Sequence, residues 1–228
     1  MVNILDFLFP RFCLVCGKRL KKDEHIVCLH CNIHLPRTDH FSRLDDNPVK
    51  QYFVSEDRIV QGASFMYHRS GTDSANIVYS MKYHDNRKGC RKMGRLLAQE
   101  VKDSGFFNGI DLIVPVPLTL KREHHRGYNQ CYHIAKGISD VMGLPVLRHV
   151  LLRHTYHGSQ THLSLHQRID NVADVFTLRD AEAIKGKHVL LVDDIITTGA
   201  TTMSSARQLL KAEGTVVSIV SLGYAGMK

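Results

Sequence analysis

The length, composition and charge of the chain limit the classes of protein to which it can belong. It has 228 residues, of which 43% are hydrophobic and 23% charged, which suits one buried α/β domain with a small appendage. No apolar run approaches the roughly 20 residues of a membrane-spanning helix, and the apolar start lacks the basic region of a signal peptide. We therefore expect a cytoplasmic protein that does not insert into membranes.

Positive charge is in excess. The formal net charge is +8, the isoelectric point is near 9.2, and there are fifteen histidines in addition. Such a balance favours polyanionic partners, either phosphorylated metabolites or nucleic acid; a basic but inert surface is the alternative. The charge is concentrated in two segments, an acid-free stretch between residues 140 and 170 and a basic cluster over residues 82–95.

Four of the six cysteines lie near the start of the chain as two Cys-x2-Cys pairs: Cys13, Cys16, Cys28 and Cys31. This spacing is typical of a zinc ribbon with four cysteine ligands. Two disulfides are the alternative, disfavoured in a reducing cytoplasm, and a dithiol redox motif is the third. Four thiolates leave no open position on the metal, so we expect structural Zn²⁺. A change of composition near residue 58 predicts a zinc-ribbon module and linker over residues 1–57, followed by a second domain over residues 58–228.

The periodicity of the second domain predicts alternating strands and helices. The predicted strands cover residues 59–67, 111–117, 188–192 and 216–222, with a short one at 145–147. The predicted helices cover residues 74–84, 89–104, 130–142 and 201–212. Because the apolar runs of the strands do not alternate with polar residues, they indicate an α/β fold with a mainly parallel sheet that is covered on both faces. Residues 153–175 show neither period and are predicted to form a long loop, which is typically functional or disordered.

The most informative motif follows the strand at residues 188–192. Two carboxylates, Asp193 and Asp194, stand where open α/β sheets bind ligands, and a Thr-Thr-Gly-Ala-Thr sequence leads into a helix. Gly199 permits a tight turn, while the threonine hydroxyls and the helix N-terminus favour a phosphate. Two carboxylates would repel that phosphate unless they accepted hydrogen bonds from the vicinal hydroxyls of a ribose. A plain helix N-cap is the alternative but needs one such residue, and a Walker loop is excluded because no Gly-Lys-Ser/Thr is in register.

This motif resembles the PRPP-binding motif of type I phosphoribosyltransferases. The resemblance implies a type I phosphoribosyltransferase-like fold, in which Asp193 and Asp194 bind the ribose hydroxyls of PRPP or another phosphorylated ribose. It also implies that the 5′-phosphate is bound by the loop residues Thr197, Thr198, Gly199, Ala200 and Thr201. Mg²⁺ would accompany the pyrophosphate, since this ion usually binds substrate phosphates.

Further motifs extend the resemblance over nearly the whole chain, to the ComF family of competence-associated, phosphoribosyltransferase-like proteins, which includes the GntX group. Beside the cysteine pairs and the Asp-Asp loop, the resemblance rests on Leu35-Pro36, Met81-Lys82-Tyr83-His84, Gly94-Arg95-Leu96-Leu97, Val114-Pro115-Val116-Pro117-Leu118, Arg126-Gly127-Tyr128-Asn129-Gln130 and Leu163-Ser164. The combination of the cysteine pairs with Arg-Gly-Tyr-Asn-Gln is specific to ComF-like proteins. The sequence departs from the family at residues 122–126, which read Arg-Glu-His-His-Arg where the family usually has Arg-Glu-Arg.

Two further segments carry candidate ligand-binding residues. The stretch after the strand at residues 111–117 would face the pyrophosphate, because arginine suits multidentate phosphate recognition; a solvated basic turn is the alternative. Its candidates are Pro117, Lys121, Arg122 and Arg126. The long loop would close over bound PRPP and exclude water, or else is an ordinary surface loop. Its candidates are Gln160, Arg168 and Asn171.

Three functions are compatible with these features. The first is an enzyme that transfers the phosphoribosyl group of PRPP to an unidentified acceptor. The second is a PRPP or nucleotide sensor on the same fold. The third, implied by the family name, is a cytoplasmic factor in natural transformation that handles incoming single-stranded DNA or contacts DNA-uptake proteins, although no aromatic residues interleave with the basic ones to form a stacking platform. The catalytic residue is unknown, and Glu123, His124 and His125 are candidates by position alone. The oligomeric state stays open.

Overall fold

A computed structural model describes residues 10–69, 71–82, 86–154 and 175–226 of the chain. Its centre is a four-stranded sheet in the order β1-β6-β5-β2, and every neighbouring pair is parallel. The strands are β1 (Ile59–Tyr67), β2 (Leu112–Pro115), β5 (His188–Ile196) and β6 (Val216–Tyr224). The predicted mainly parallel sheet is therefore confirmed, and at residues 145–147 Val146 forms one parallel bridge to Ile113.

Seven helices and a small second sheet surround these strands within the described residues. The helices are α1 (Leu29–His34), α2 (Pro48–Gln51), α3 (Asp73–Lys82), α4 (Arg87–Val101), α5 (Leu120–Arg126), α6 (Gln130–Met142) and α7 (Ala200–Leu209). The second sheet pairs β3 (Leu151–Arg153) with β4 (Phe176–Leu178) in antiparallel fashion. Among the described residues, none of the helices combines the length and apolarity needed to cross a bilayer.

The sheet is covered on both faces, as its apolar strands predict. One core cluster takes its helical residues from α3, α4 and α6: Ile77, Met93, Leu97, Ile134 and Ile138. The other is formed against α2, β3, β4 and α7, by Val49, Phe53, Leu151, Phe176 and Leu209. Because the four strands between these layers are parallel, their carboxyl ends meet at one edge of the sheet.

Helices α4 and α6 touch through glycines. A Cβ atom added at Gly94 would collide with the carbonyl oxygen of Ile134, and one added at Gly137 would collide with that of Arg91. Only glycine allows two backbones to approach this closely. The contact holds α6, whose first residues reach the carboxyl edge of the sheet, firmly against α4.

The segment that follows the cysteine pairs packs on the sheet rather than running past it. Leu35 and Phe41 belong to the α3–α4–α6 core, whereas Val49 and Phe53 belong to the opposite one. Arg37 makes two 2.6 Å hydrogen bonds to the Glu100 carboxylate on α4. The domain boundary near residue 58 stays a prediction, and the packing shows that residues 35–53 share the cores of the second unit.

The stretch that was predicted to be a loop facing the pyrophosphate forms helix α5 instead, whose N-cap is Thr119 and which ends at Gly127 with φ of 76°. A helix this short does not produce a recognisable hydrophobic period. The long loop predicted over residues 153–175 lies between strands β3 and β4, and most of it falls outside the described residues.

Candidate functional site

Asp193 and Asp194 are the last polar residues of β5, and both side chains are buried. The Oδ1 atom of Asp193 accepts a hydrogen bond from the Asp194 N–H at 2.9 Å, and its Oδ2 accepts one from the Thr202 hydroxyl at 3.0 Å. The Cys131 thiol donates to Oδ1 at 3.6 Å. Burial, followed by the neighbouring charge of Asp194, raises the pKa of Asp193 to about 7. Asp193 is thus a buried carboxyl that accepts hydrogen bonds from its own strand, from α7 and from α6.

Asp194 carries the second carboxylate and is bound by residues from two other parts of the chain. Its Oδ2 atom accepts hydrogen bonds from Gln130 Nε2 at 3.1 Å and from Lys82 Nζ at 3.2 Å. Its Oδ1 atom accepts from the Ile195 N–H at 2.8 Å. The Lys82 cation therefore offsets part of the negative charge that the two adjacent carboxylates place at the end of β5.

The loop after β5 has the geometry of an anion site. Thr197 and Thr198 are exposed, and Gly199 has φ of 75° immediately before the first residue of α7. The first N–H groups of a helix have no partner within the helix, and they point with the positive end of its dipole towards an anion. A Cβ atom at Gly199 would also lie 3.2 Å from Cβ of Tyr52. The glycine thus meets two demands: a left-handed backbone and a close neighbour from the segment before β1.

Cationic side chains form a wall of the cleft that this loop also lines. A cleft of about 190 Å³ is lined by the carboxylates, by the loop, and by Lys82, Arg122, Arg126 and Arg153. Arg126 donates to the Gln130 Oε1 atom at 3.0 Å, and Gln130 in turn donates to Asp194. Burial, together with the positive charge of Arg122, lowers the pKa of Arg153. Four cations against two carboxylates make this a cleft for a strongly anionic ligand.

Only some of the ligand-binding residues that the sequence predicts line the cleft. Arg122 and Arg126 line the cleft, whereas Pro117 is buried and Lys121 is exposed on α5. Gln160, Arg168 and Asn171 lie outside the described residues. Of the described residues that flank them, the His154 N–H donates to the Val175 carbonyl at 2.8 Å.

Several residues of the cleft were not assigned to it from the sequence: Lys82, Gln130, Cys131, Arg153 and Thr202. Lys82 and Gln130 were visible as parts of family motifs, and Arg153 as part of the acid-free stretch. None of the five has a sequence pattern that by itself would assign it to the cleft, because the fold alone brings these residues close to the Asp-Asp pair.

The structure also explains the Arg-Gly-Tyr-Asn-Gln motif. The Tyr128 hydroxyl donates to the Met81 carbonyl at 2.5 Å and accepts from the Asn86 N–H at 3.1 Å, which fixes the end of α3 next to Lys82. Asn129 caps α6 and donates to the Val116 carbonyl at 3.0 Å. The motif therefore orients the two side chains that bind Asp194.

The three acid–base candidates from sequence lie on α5 and do not line the cleft. Glu123 forms an ion pair with Arg148. His124 and His125 are exposed. These three residues are neighbours in sequence of Arg122 and Arg126, but they do not line the cleft as those arginines do.

The four N-terminal cysteines come together as a cluster, with all four Sγ atoms within 4.8 Å of one another. All four are free thiols, and the distance between Sγ of Cys16 and Sγ of Cys28 is 3.7 Å. The N–H groups of Val15 and Cys28 donate to Sγ of Cys13 at 3.4 and 3.3 Å. Burial opposes ionisation of Cys13, but backbone donors, Cys16 and Cys28 first, outweigh it and lower its pKa to about 7. This arrangement suits metal-bound thiolates rather than disulfides.

Comparison with known proteins gives a consistent result. The phosphoribosyl transferase domain family matches residues 80–226 of the chain. The DNA utilization protein YhgH of Salmonella typhi is 30% identical over 146 residues, and the matched part covers 63% of each protein, just under two thirds of that relative. Competence protein F of Haemophilus influenzae is 29% identical over 205 residues, which cover 87% of this chain and 84% of that protein.

Among solved structures, the glutamine phosphoribosylpyrophosphate amidotransferase from B. subtilis is similar with a TM-score of 0.43 and 21% identity, over 62% of this chain and 30% of that one. This likeness is too distant to bear on substrate. The family match covers more than half of the chain, and the relatives are those that the ComF resemblance predicts. The chain therefore belongs to the phosphoribosyl transferase domain family, among its ComF-like competence and DNA-utilization proteins.

Proposed function

We propose that this protein binds PRPP in the cleft and transfers its phosphoribosyl group to an acceptor. One observation carries the proposal: two buried carboxylates line one cleft together with a helix N-terminus and four cationic side chains. A ribose with an anionic group at each end matches that set of charges. Simple phosphate binding would not need the carboxylates, and simple sugar binding would not need the cations.

Each part of the cleft then has a role. The 5′-phosphate binds the N–H groups and hydroxyls of residues 197–201, and the two ribose hydroxyls donate to Asp193 and Asp194. The pyrophosphate faces Arg122, Arg126 and Arg153, whose planar guanidinium groups suit multidentate phosphate binding. Lys82, which pairs with Asp194 in the free protein, is within reach of the same ligand.

The transfer is a substitution at C1 of the ribose. The bond between C1 and the pyrophosphate oxygen breaks, and its electron pair leaves with the pyrophosphate. A new bond forms from the acceptor atom to C1, and the proton of the acceptor is released to water. The arginines stabilise the negative charge that develops on the leaving group, and fixed cations do so without reorganisation.

The carboxylates of this cleft also fit a hard cation. Mg²⁺ prefers oxygen ligands and usually binds through one or two carboxylates together with substrate phosphates. Asp193 and Asp194 would hold it beside the pyrophosphate, where it would supply further neutralisation of the leaving group. We include Mg²⁺ in the proposal as a partner of PRPP.

We also propose that the cysteine cluster holds one structural Zn²⁺. Zn–S bonds of about 2.3 Å in a tetrahedron put the sulfurs about 3.8 Å apart, and the Cys16–Cys28 distance of 3.7 Å agrees with this value. Thiols kept in this form require a reducing compartment. A cytoplasmic location is therefore part of the proposal.

A non-catalytic role is the second candidate: a PRPP- or nucleotide-binding factor in natural transformation that handles single-stranded DNA. It is favoured by the position of Glu123, His124 and His125, since none of the three lines the cleft. Competence protein F and the DNA utilization protein YhgH are among the relatives. Binding of PRPP without turnover would favour this candidate over the transferase.

Calorimetry with PRPP and ribose 5-phosphate tests the site. Both ligands should bind the wild type, and Mg²⁺ should favour PRPP. In the Asp193→Asn/Asp194→Asn variant both affinities should fall about tenfold or more, because hydrogen bonds to charged groups contribute roughly 1.5–3 kcal/mol each. Release of pyrophosphate in the presence of a metabolite extract would separate transferase from sensor. No binding by the wild type at millimolar ligand, or equal binding by the variant, would contradict the site.

A further inference from the structure

The side-chain amide of Gln130 links two parts of the cleft. Its Oε1 atom accepts a hydrogen bond from Arg126 Nη1 at 3.0 Å, and its Nε2 atom donates to Asp194 Oδ2 at 3.1 Å. Arginine only donates hydrogen bonds, and an ionised carboxylate only accepts them. The two partners therefore fix which way the amide faces, and neither an ionised glutamate nor a lysine could satisfy both of them at this position.

The two residues that the amide connects are held very differently. Asp194 is buried near the end of β5, and its oxygens also accept from the Ile195 N–H and from Lys82. Arg126 is half-buried at the end of α5, a helix of seven residues none of which is buried. Within the described parts of the chain, Gln130 provides the one hydrogen bond that the Arg126 side chain makes. The amide thus attaches a weakly packed arginine to a fixed carboxylate.

Gln130 is itself well anchored. It is buried and is the first residue of α6. The Asn129 side chain caps that helix and also donates to the Val116 carbonyl at 3.0 Å, which ties the start of α6 to the residues after β2. Farther along, Gly137 lets α6 lie directly against α4. Because the backbone at Gln130 cannot shift freely, its side chain can serve as a rigid support for Arg126.

Such a support matters for a residue that binds phosphate. A long side chain that is free in solution loses conformational entropy when a ligand immobilises it, which weakens binding. An arginine that is already held in place loses less. Fixed cations also stabilise charge that develops on a leaving group without having to reorganise.

We propose that Gln130 is a positioning residue for the pyrophosphate end of PRPP. Its amide holds Arg126 in the orientation that meets the pyrophosphate, and uses the ribose-binding carboxylate Asp194 as the anchor. The inference rests on the proposed function, because Arg126 and Asp194 have separate roles only if one ligand extends over both. Gln130 acts through Arg126 and does not itself touch the ligand.

The first test removes the amide and keeps the shape of the side chain. Gln130→Met has a similar length but no hydrogen-bond donor and only a weak acceptor. Its affinity for PRPP with Mg²⁺, measured by calorimetry, should fall about tenfold, as when one hydrogen bond to a charged group is lost. Its affinity for ribose 5-phosphate, which has no pyrophosphate, should stay within about twofold. That unchanged affinity also shows that the variant is folded.

A double-mutant cycle separates positioning from general packing. Arg126→Met should by itself lower the affinity for PRPP about tenfold. If Gln130 acts through Arg126, the double variant should bind PRPP within about twofold of Arg126→Met alone, rather than about a hundredfold more weakly than the wild type. Gln99→Met, at an exposed glutamine on α4, is the matched control and should change neither affinity.

Gln130→Glu is the second variant and has nearly the same shape as the wild type. At pH 8 it still accepts from Arg126 but cannot donate to Asp194, and it places a third carboxylate beside the ribose-binding pair. The affinities for PRPP and for ribose 5-phosphate should therefore both fall, each about fivefold or more, because like charges repel in a buried site. A role in packing alone would leave both affinities unchanged.

The outcomes separate this proposal from the proposed function. The positioning role is overturned, while the cleft stands, if Gln130→Met binds PRPP as tightly as the wild type or loses both ligands equally. It is also overturned if the double variant shows the full product of the two losses, or if Gln130→Glu keeps both affinities. If neither PRPP nor ribose 5-phosphate binds the wild type, the proposed function fails and the role of Gln130 with it.

Discussion

The cysteine cluster and the cleft are both groups of converging polar side chains, but they are assembled in opposite ways. All four sulfurs come from residues 13–31 and lie on a small apolar cluster that includes Leu20 and Val27. The cleft draws its side chains from four separate regions between residues 82 and 202. The first group is therefore organised by one short segment, and the second by the packing of the whole sheet.

Helix α4 connects the two regions. Near its end, Leu96 packs against the cysteine module and Glu100 binds Arg37. At its start, the Arg87 guanidinium donates to the Gly127 carbonyl at 2.8 Å, just before the residues that hold Asp194. If a metal organises the cysteine module and the packing of the sheet organises the cleft, a substitution that disrupts one region should leave ligand binding by the other unchanged.

The largest effect is expected from removing thiolates. In a Cys13→Ser/Cys31→Ser variant, bound zinc should fall from about one ion per chain to none, and amide exchange over residues 10–34 should lose its protection. Zinc binding contributes about 10–16 kcal/mol to folding in small modules, so serine ligands cannot compensate. The affinity for ribose 5-phosphate should stay within about threefold of the wild type, because its contacts lie in the cleft.

Cys90→Ala is the matched control, since Cys90 is a buried thiol outside the cluster, and it should keep its zinc. Zinc retained by the double-serine variant would contradict the cluster as the metal site. Loss of ribose 5-phosphate binding in that variant would show that the two regions are coupled through α4.

The same contrast explains what the sequence predicts and what it does not. The cysteine spacing and the Asp-Asp loop are local, and helix α6 has the bounds that its period predicts, Gln130–Met142. Lys82 and Arg153 reach the cleft only because α3 ends beside β5 and β3 bridges Thr119. No spacing rule connects residues so far apart, so the phosphate loop was predicted and half of its cationic wall was not.

The second prediction concerns the pH dependence of stability. Because burial raises the folded pKa of Asp193 to about 7 from an ordinary value of 3.8, the native state binds this proton more tightly than the unfolded chain. The contribution of this carboxyl to stability is thus fully present below about pH 4 and is lost as the pH rises through about 7. Asp193→Asn, which cannot ionise, should gain several degrees in melting temperature relative to the wild type between pH 5 and pH 8, measured without ligand or Mg²⁺.

Asp140→Asn is a control in which the sign is reversed. Hydrogen bonds from Arg91 lower the pKa of Asp140, so ionised Asp140 stabilises the protein and the substitution should cost stability at pH 8. If the difference in melting temperature between Asp193→Asn and the wild type does not change with pH, burial does not raise the pKa of Asp193. Solvent would then reach this carboxyl more freely than the packing of the cleft indicates.

A smaller effect is expected from Lys82, the cation that comes from the most distant segment. Lys82→Met keeps the length of the side chain and removes its charge, so the affinity for PRPP should fall about tenfold. Ribose 5-phosphate has no pyrophosphate and should lose less. Lys88→Met, at an exposed lysine on α4, is the matched control. Equal losses for both ligands would place Lys82 with the ribose rather than with the pyrophosphate.

The smallest effect is expected for DNA, along the helix that joins the two regions. Arg91 and Lys92 are prominent in the basic cluster, but Arg91 makes two 2.6 Å hydrogen bonds to Asp140, and Lys92 is half-buried with a pKa lowered by burial and by Arg11. Lys88 and Arg95 are exposed on the same helix and better placed to meet a phosphate. Any binding of single-stranded DNA should be weak, should favour no sequence, and should fall steeply with salt.

Lys88→Glu/Arg95→Glu should therefore weaken binding of a labelled oligonucleotide by roughly three- to tenfold at low salt, and should flatten the salt dependence, because two phosphate contacts are lost. Lys102→Glu/Lys211→Glu makes the same change in net charge at exposed sites elsewhere. If DNA follows α4, this control should keep most of the affinity; if only total charge matters, both variants should lose it equally. Tight binding that persists at high salt in either variant would mean that base stacking or hydrogen bonding replaces phosphate contacts, and α4 would then not be the surface that carries DNA.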